Sequence, residues 1–426
     1  MPAGVPIYLD HAATTPLRRE ALEAMLPYLG EVFGNPSSPH AYGRRARAAL
    51  DDAHERIARQ IGATPREIVL TSGGTEALNL ALKGAAWAGK ARGHRIVTSA
   101  VEHHAVLPPL HQLEKFGFEI VEVPVDRYGR VDPGHVEAAL NDRTILVAIQ
   151  QANNEVGTVQ PIAAIGEIVR TKGPKGCLFA VDAIAAAAWL PIDVEAIGCH
   201  LLAIAGHKVE GPKGAGALYL RKGTHVLSQQ QGGTQERYRR AGTEDVAASA
   251  GMAVAFELAV AERDITARRI RKLRDRLKTA LLAVDGVELT GHPRDRLPNL
   301  LSVIARDADG GAIVIKLDLE GLAASVGSAC TTGSTDPSHV LTAMAYPDEE
   351  ARGSVRLSLG RTTTDAEIDA AIELVPRVIA AARDAATVLT ADPLGQTIAG
   401  AVSAARPPAT SATGSAPAAG TAGSAG

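Results

Sequence analysis

An aspartate and a lysine follow two consecutive apolar runs near the middle of the chain. Asp182 ends the run 178–182, and Lys208 closes Gly206-His207-Lys208 just after the next run, 201–204. A lysine that forms a Schiff base and a carboxylate that pairs with a pyridinium nitrogen are the two protein groups that pyridoxal phosphate requires as an electron sink. Taken singly, Asp182 is also typical of a helix cap, and Lys208 of a solvated surface charge. Their joint occurrence at strand ends favours a cofactor site.

The segment Thr71-Ser72-Gly73-Gly74-Thr75-Glu76 stands between an apolar run and a helix-forming stretch. Backbone N–H groups and hydroxyls converge at such a helix N-terminus, which is a favourable place for phosphate. The segment is neither a Walker A loop nor a G-x-G-x-x-G, which counts against nucleotide binding. A capped turn with no ligand fits the segment equally well. The phosphate interpretation therefore depends on Asp182 and Lys208 being present as well.

Two further residues could act on a substrate. His103, in Glu102-His103-His104, follows a predicted strand and could stack on a cofactor ring and exchange protons near neutral pH; a histidine satisfied within a loop is the alternative, and His104 is interpreted as structural. Arg356 lies within Val355-Arg-Leu-Ser-Leu, where a fixed guanidinium suits a carboxylate. A structural ion pair would explain Arg356 equally well.

The three cysteines are Cys177, Cys199 and Cys330. This odd number and wide spacing suit neither a disulfide framework nor a zinc site, so no metal is expected. Cys330 lies among small residues in a long predicted loop, where a thiol can attack a bound sulfur atom and carry it outward. Cys177 and Cys199 adjoin apolar runs and are predicted to be core residues.

Short β-branched runs alternate with helical stretches from about residue 66 to 220. This pattern predicts a parallel sheet covered on both faces, with the ligand beyond the carboxyl ends of its strands. A second, smaller α+β unit is predicted from a helix at 257–284, strands near 299–304 and 355–359, and helices near 312–319 and 365–386. The runs predicted as strands of the first unit begin at Glu67, Arg95, Glu119, Thr144, Leu178 and Leu201.

The formal net charge is −3, with 44 basic and 47 acidic residues spread along the chain. No basic arm stands out, so neither nucleic acid nor a membrane surface is an expected partner. No secretory signal and no apolar run long enough to span a bilayer are recognisable, which makes the cytoplasm the expected location. The residues from about 398 onward are almost entirely Ala, Gly, Ser, Thr and Pro and are predicted to be disordered.

The motifs in their order along the chain resemble the NifS/IscS-like cysteine desulfurases, a group of class V aminotransferase-like enzymes that use pyridoxal phosphate. The resemblance extends from Tyr8 to about residue 390. It implies the fold type I of these transferases, with a mostly parallel seven-stranded sheet and a smaller α+β domain. The stretches that carry it are Tyr8-Leu-Asp-His-Ala-Ala-Thr-Thr-Pro, Phe33-Gly-Asn-Pro-Ser-Ser, Asn153-Asn-Glu-Val-Gly, Gly206-His-Lys, Gly211-Pro-Lys-Gly, Arg240-Ala-Gly-Thr-Glu, Gly327-Ser-Ala-Cys and Arg356-Leu-Ser-Leu-Gly-Arg.

The resemblance also implies roles for single residues. Lys208 would carry the cofactor, His103 would stack on its ring as acid and base, and Cys330 would carry sulfur as a persulfide. Arg356, with Asn35 nearby, would hold the carboxylate of the substrate L-cysteine. The cofactor-binding residues would be Gly74, Thr75, Asn154, Asp182, His207 and, from the other subunit of a homodimer, Thr243. The products would be L-alanine and sulfur passed to an acceptor protein, such as an iron–sulfur scaffold or a sulfur relay, for cluster or thio-cofactor synthesis.

Three positions depart from the family pattern. Ala185 stands where the family usually has Gln near the ring oxygen, Ala205 where it usually has a Ser that contacts the phosphate, and Gln231 where a His is usual. Loss of a hydrogen bond to a charged group costs about 1.5 to 3 kcal/mol, so weaker cofactor binding is expected. Two alternatives follow: a selenocysteine lyase or another class V enzyme, and a non-catalytic dimeric homologue that serves in docking.

The expected domain organisation has four parts. Residues 1–15 form an N-terminal segment that joins the small domain, and 16–256 form the large cofactor-binding domain. Residues 257–392 form the small α+β domain with the Cys330 loop, and 393–426 form the tail.

Overall fold

The computed structural model describes residues 6–327 and 337–391, so Cys330 and the predicted tail lie outside the described residues.

A seven-stranded sheet forms the centre of the larger unit. The strand order is β2-β8-β7-β6-β5-β3-β4, and β8 alone runs antiparallel to its neighbours. The strands are β2 Ile68–Thr71, β3 Arg95–Ser99, β4 Glu119–Val123, β5 Thr144–Gln150, β6 Leu178–Asp182, β7 Leu201–Ala205 and β8 Gly216–Leu220. The predicted fold class is confirmed.

Helices cover both faces of this sheet because its strands are apolar on both sides. In β5, Val147 and Ile149 pack into one core and Leu146 and Ala148 into the other, as the alternation of side chains along a strand requires. The helices of this unit are α1 Arg19–Leu29, α2 Ala41–Ile61, α3 Gly74–Gly89, α4 Leu107–Glu114, α5 Pro133–Ala139, α6 Ile162–Lys172, α7 Val194–Ile197 and α8 Gln235–Tyr238.

The smaller unit contains a three-stranded antiparallel sheet with β10 in its centre. Helix α9 leads into it and begins at Val246, earlier than predicted, because the Asp245 side chain accepts the backbone N–H of Ala248. The other elements are β9 Val287–Leu289, β10 Leu300–Ala305, α10 Gly310–Leu319, β11 Leu322–Ala323, α11 His339–Ala343, α12 Asp348–Ala351, β12 Ser354–Ser358 and α13 Asp365–Ala391; α9 itself is Val246–Leu282.

The N-terminal segment lies against the smaller unit. Strand β1, Ile7–Tyr8, pairs in parallel with β11, and Asp10 forms a bridge with Ser358 of β12. This pairing directs the residues after Asp10 towards the carboxyl ends of the strands in the larger unit. None of the helices in the described ranges is long and apolar enough to cross a bilayer.

Candidate active site

A cavity of about 340 Å³ lies at the carboxyl ends of β5, β6 and β7. This is the edge where parallel sheets of α/β proteins bind their ligands. The cavity is lined by most of the residues predicted from the sequence: Gly74, Thr75, His103, Asn154, Asp182, His207, Lys208 and Arg356. Asn35 and Thr243 are exposed and do not line it. Cys330 lies outside the described residues.

Lys208 and Asp182 face this cavity from neighbouring strands. Lys208 ends a short 3₁₀ turn after β7, and its Nζ donates hydrogen bonds to the carbonyl oxygens of Ala12 at 2.5 Å and Ala13 at 2.7 Å. Asp182 ends β6, and its Oδ1 accepts the backbone N–H of Ile184 at 2.9 Å. Burial raises the pKa of Asp182 to about 6, although the positive charge of Lys208 opposes this rise. An amine and a buried acid therefore lie at the same cavity.

The imidazole of His103 is neutral at pH 7. Burial and, as a smaller contribution, the positive charge of Lys208 together lower its pKa to about 4. Its Nδ1 accepts the backbone N–H of Ala105 at 3.0 Å, so the proton of the neutral ring is assigned to Nε2. The neutral ring thus has one N–H donor, at Nε2, and His103 lines the cavity.

The N-terminus of α3 lies at one end of the site. Gly74 and Thr75 line both the cavity of Lys208 and an adjoining one of about 450 Å³, which also contains His207 and Lys213. His207 Nδ1 lies 3.2 Å from the hydroxyl of Thr14, and burial lowers the pKa of His207 to about 4. Free backbone N–H groups, the helix dipole and a lysine suit a phosphate group.

Gly216 of β8 packs directly against the turn that precedes α3. A Cβ atom at Gly216 would lie 2.5 Å from the carbonyl carbon of Gly73, closer than atoms can approach. We expect Gly216→Ala to displace this turn, to destabilise the protein by about 1 to 3 kcal/mol and to weaken cofactor binding. Chemical denaturation and a cofactor titration measure both effects. The control is Gly30→Ala, where an added methyl group meets no atom within 4 Å; equal behaviour of the two variants would contradict the prediction.

Arg356, on β12 of the smaller unit, also lines the cavity. This buried side chain donates from Nη1 to the carbonyl oxygen of Asn154 at 3.0 Å and from Nη2 to Asp10 Oδ1 at 3.1 Å. Its Nε is buried and has no hydrogen-bond partner among the described residues. Arg356 thus forms an ion pair with Asp10 and also lines the cavity.

Sequence reasoning missed several contributors to the site. Asp10 holds Arg356, and the backbone carbonyls of Ala12 and Ala13 hold Lys208. The only sequence signal for these residues is the family-like stretch that begins at Tyr8, and the resemblance assigns no role to its single residues. Gln150 also lines the cavity, as the last residue of β5. These contributions depend on backbone atoms or on strand ends rather than on reactive side chains.

Ala185 and Ala205 are two of the positions that depart from the family pattern. Both line the cavity, together with Gly74 and Asp182. A Cβ atom at Gly74 would lie 2.3 Å from Cδ1 of Ile184, so the Ile184 side chain fills the space beside the glycine. This wall of the cavity is apolar. Cys177 and Cys199 are buried in the core as predicted, and burial raises the pKa of each thiol to about 12.

Comparison with known proteins agrees with this geometry. Residues 7–371 match the family model "Aminotransferase class-V". The cysteine desulfurase IscS of Dictyoglomus turgidum is 47% identical over 374 residues, which are 88% of this chain and 94% of that protein. The cysteine desulfurase IscS of Methanosarcina thermophila is also 47% identical, over 88% of this chain and 92% of its own length.

The chain belongs to the NifS/IscS-like cysteine desulfurases of the class V aminotransferase family.

Solved structures support the same assignment. A NifS-like protein, 34% identical, superposes with a TM-score of 0.84 and covers 88% of this chain and 100% of its own. The predicted family is thus confirmed. Members of this family use pyridoxal phosphate, and the cavity of this cysteine desulfurase has the groups that the cofactor needs: an amine, a buried acid and a helix N-terminus.

Proposed function

We propose that this cysteine desulfurase converts L-cysteine to L-alanine at the cavity of Lys208, with pyridoxal phosphate as cofactor, and passes the sulfur to Cys330. The observation that carries the proposal is the convergence of Lys208, Asp182 and the N-terminus of α3 on connected cavities. These are the groups that would hold the aldehyde, the ring nitrogen and the phosphate of the cofactor.

Bound pyridoxal phosphate supplies an electron sink for the charge that develops on the substrate Cα. Lys208 would hold the cofactor covalently and, once its amine is released, remove the α-proton of the substrate. The carbonyls of Ala12 and Ala13 accept hydrogen bonds from its Nζ, so they would steady this amine. Asp182 would pair with the ring nitrogen, and this pairing would restore its ionised form against the effect of burial.

His103 and Arg356 would act on the substrate. His103 would stack on the cofactor ring as a neutral imidazole and offer the N–H of Nε2 to a substrate atom. Arg356 would bind the substrate carboxylate through its guanidinium group, since this residue lines the cavity. Asn35 would assist Arg356, and Asn154 would contact the ring hydroxyl.

Cys330 would carry the sulfur atom out of the cavity. Its thiolate would attack the sulfur of the bound cysteine, so that a persulfide forms on Cys330 as the carbon–sulfur bond breaks. A protein thiol, such as that of an iron–sulfur scaffold or a sulfur relay, would receive the outer sulfur atom. We also propose a homodimer in which Thr243 of the partner subunit completes the phosphate site.

A single-turnover experiment with Cys330→Ser tests the thiol. We expect the variant to keep the visible absorption of the bound cofactor, to form little alanine from cysteine and to hold no persulfide, because the attacking thiolate is gone. Alanine and protein-bound persulfide are measured after mixing excess enzyme with cysteine. Cys177→Ala, which changes a buried thiol, is the matched control and should form both products. Unchanged alanine formation in Cys330→Ser would remove Cys330 from the reaction.

A further inference from the structure

Glu102 is a buried acid immediately before His103 in the chain. Its side chain is 1% exposed, and its Oε1 accepts hydrogen bonds from Ser99 Oγ at 2.6 Å and from the backbone N–H of Gln150 at 3.0 Å. Its carbonyl oxygen accepts a hydrogen bond from His339 Nε2 at 2.9 Å when that ring nitrogen carries the proton. His103 lines the cavity, whereas Glu102 does not. The acid therefore ties the loop of His103 to the ends of β3 and β5 from outside the cavity.

The other carboxyl oxygen of Glu102 has an unusual environment. Oε2 is buried and has no hydrogen-bond partner among the described residues. No lysine or arginine in residues 6–327 and 337–391 forms an ion pair with it. Both hydrogen bonds to the carboxyl group go to Oε1, and no cation beside it among the described residues offsets the loss of hydration, so its ionised form is costly to bury. Burial raises the pKa of Glu102 to about 8, although the hydrogen bonds from Ser99 and Gln150 oppose this rise.

Glu102 is also electrostatically linked to Asp182. Gln150, whose N–H binds Glu102, pairs in register with Asp182 across β5 and β6. The negative charge of Asp182 contributes to the raised pKa of Glu102, so the two acids do not readily ionise together. The other titratable or charged groups around the loop are His103, His104, Lys208, His339 and Arg356.

We propose that Glu102 is a positioning residue that remains protonated, holds the His103 loop on the ends of β3 and β5, and leaves Asp182 as the ionised acid that faces the cofactor ring. The catalytic part of this proposal rests on the proposed function. The protonation of Glu102 does not, because it follows from the burial of this side chain without a cation beside it among the described residues.

The first experiment measures kcat and KM for alanine release by Glu102→Ala and Glu102→Gln. Glu102→Ala removes the oxygen that accepts both hydrogen bonds, so we expect the His103 loop to shift by about 1 Å. Such a shift should lower kcat about 10- to 100-fold with little change in KM. Glutamine keeps the acceptor oxygen and the neutral state, so it should restore most of the lost rate and the wild-type pH profile. Ser99→Ala, which removes one donor, should give an intermediate kcat. Glu114→Gln, at an exposed glutamate that ends α4 and forms no ion pair among the described residues, is the matched control.

The second experiment follows thermal unfolding of the cofactor-free protein between pH 5 and pH 9. The pKa of Glu102 is raised in the folded state, so its stabilising contribution is complete below its unfolded pKa, near 4.5, and is lost as the pH rises through about 8. Glutamine cannot ionise. Between pH 5 and about pH 8 the Tm of the wild type should therefore fall more steeply than the Tm of Glu102→Gln, while Glu114→Gln should follow the wild type.

Two results would overturn the proposal. One is a Tm curve of Glu102→Gln that superposes on the wild-type curve, since Glu102 would then be ionised throughout. The other is an equal loss of kcat in Glu102→Gln and Glu102→Ala. If the protein bound no pyridoxal phosphate at all, the proposed function would fail, but the unfolding measurements would still decide the protonation of Glu102. Those measurements need only Glu102→Gln, so the test remains valid even if Glu102→Ala does not fold.

Discussion

Replacing Lys208 with alanine is expected to remove the visible absorption of the bound cofactor and to lower alanine release by at least about a thousandfold. The reason is that Lys208 supplies both the covalent link and the base, and the loss of a reacting group eliminates most of a catalytic effect. Among the described residues that line the cavity, Lys208 is the sole lysine. The measurements are the absorption spectrum, borohydride reduction followed by peptide mapping, and alanine quantification.

Lys172→Ala is the control for this experiment. Lys172 is exposed and pairs only with Glu137, at 3.6 Å, in the described ion pairs. It should keep the spectrum and the rate of the wild type. If Lys208→Ala kept the visible band and borohydride still fixed the cofactor to another residue, the assignment of the covalent site would be wrong.

The second largest effect is expected on cofactor affinity, when Ala205 and Ala185 are replaced by the Ser and Gln that are usual in the family. We expect Ala205→Ser and Ala185→Gln each to tighten the binding of pyridoxal phosphate about 10- to 100-fold. Each adds a hydrogen bond to a charged or polar group of the cofactor, which is worth about 1.5 to 3 kcal/mol. Both alanines line the cavity, so the new side chains can reach the cofactor. Equilibrium titration of the cofactor-free protein, followed by absorption, gives the Kd values.

Ala100→Ser is the matched control, because Ala100 follows β3 at the same edge of the sheet but does not line the cavity. Its Kd should stay within about threefold of the wild type, as for most surface changes. Unchanged Kd values in both restored variants would mean that the phosphate and the ring lie elsewhere. They would also remove the reason for the non-catalytic alternative, which was suggested by Ala185 and Ala205.

Domain boundaries remain a prediction, and one of them falls within a continuous helix. The expected division at 256/257 lies inside α9, which extends from Val246 to Leu282. The N-terminal residues pair with β11 and β12, in the region expected for the small domain. Limited proteolysis would show whether the two units separate at α9.

The sequence alone determined the sheet and the reactive groups. Runs of β-branched residues predicted the parallel strands because both faces of such strands must be apolar. The positions of Asp182, Lys208 and His103 after those runs predicted that they would meet, because parallel strands end at the same edge. β8 was missed as a separate run, since Gly216 and Ala217 weaken its strand pattern.

Only the tertiary structure decided what holds these groups in place. The carbonyls that accept hydrogen bonds from Lys208 lie about 195 residues earlier in the chain, and the Asp10 carboxylate that pairs with Arg356 lies 346 residues away from it. Any residue can supply a carbonyl oxygen, so its type carries no signal. The buried state of Glu102 likewise follows from packing around it. A local pattern specifies which residues end a strand, whereas the environment of a charge depends on how distant segments pack.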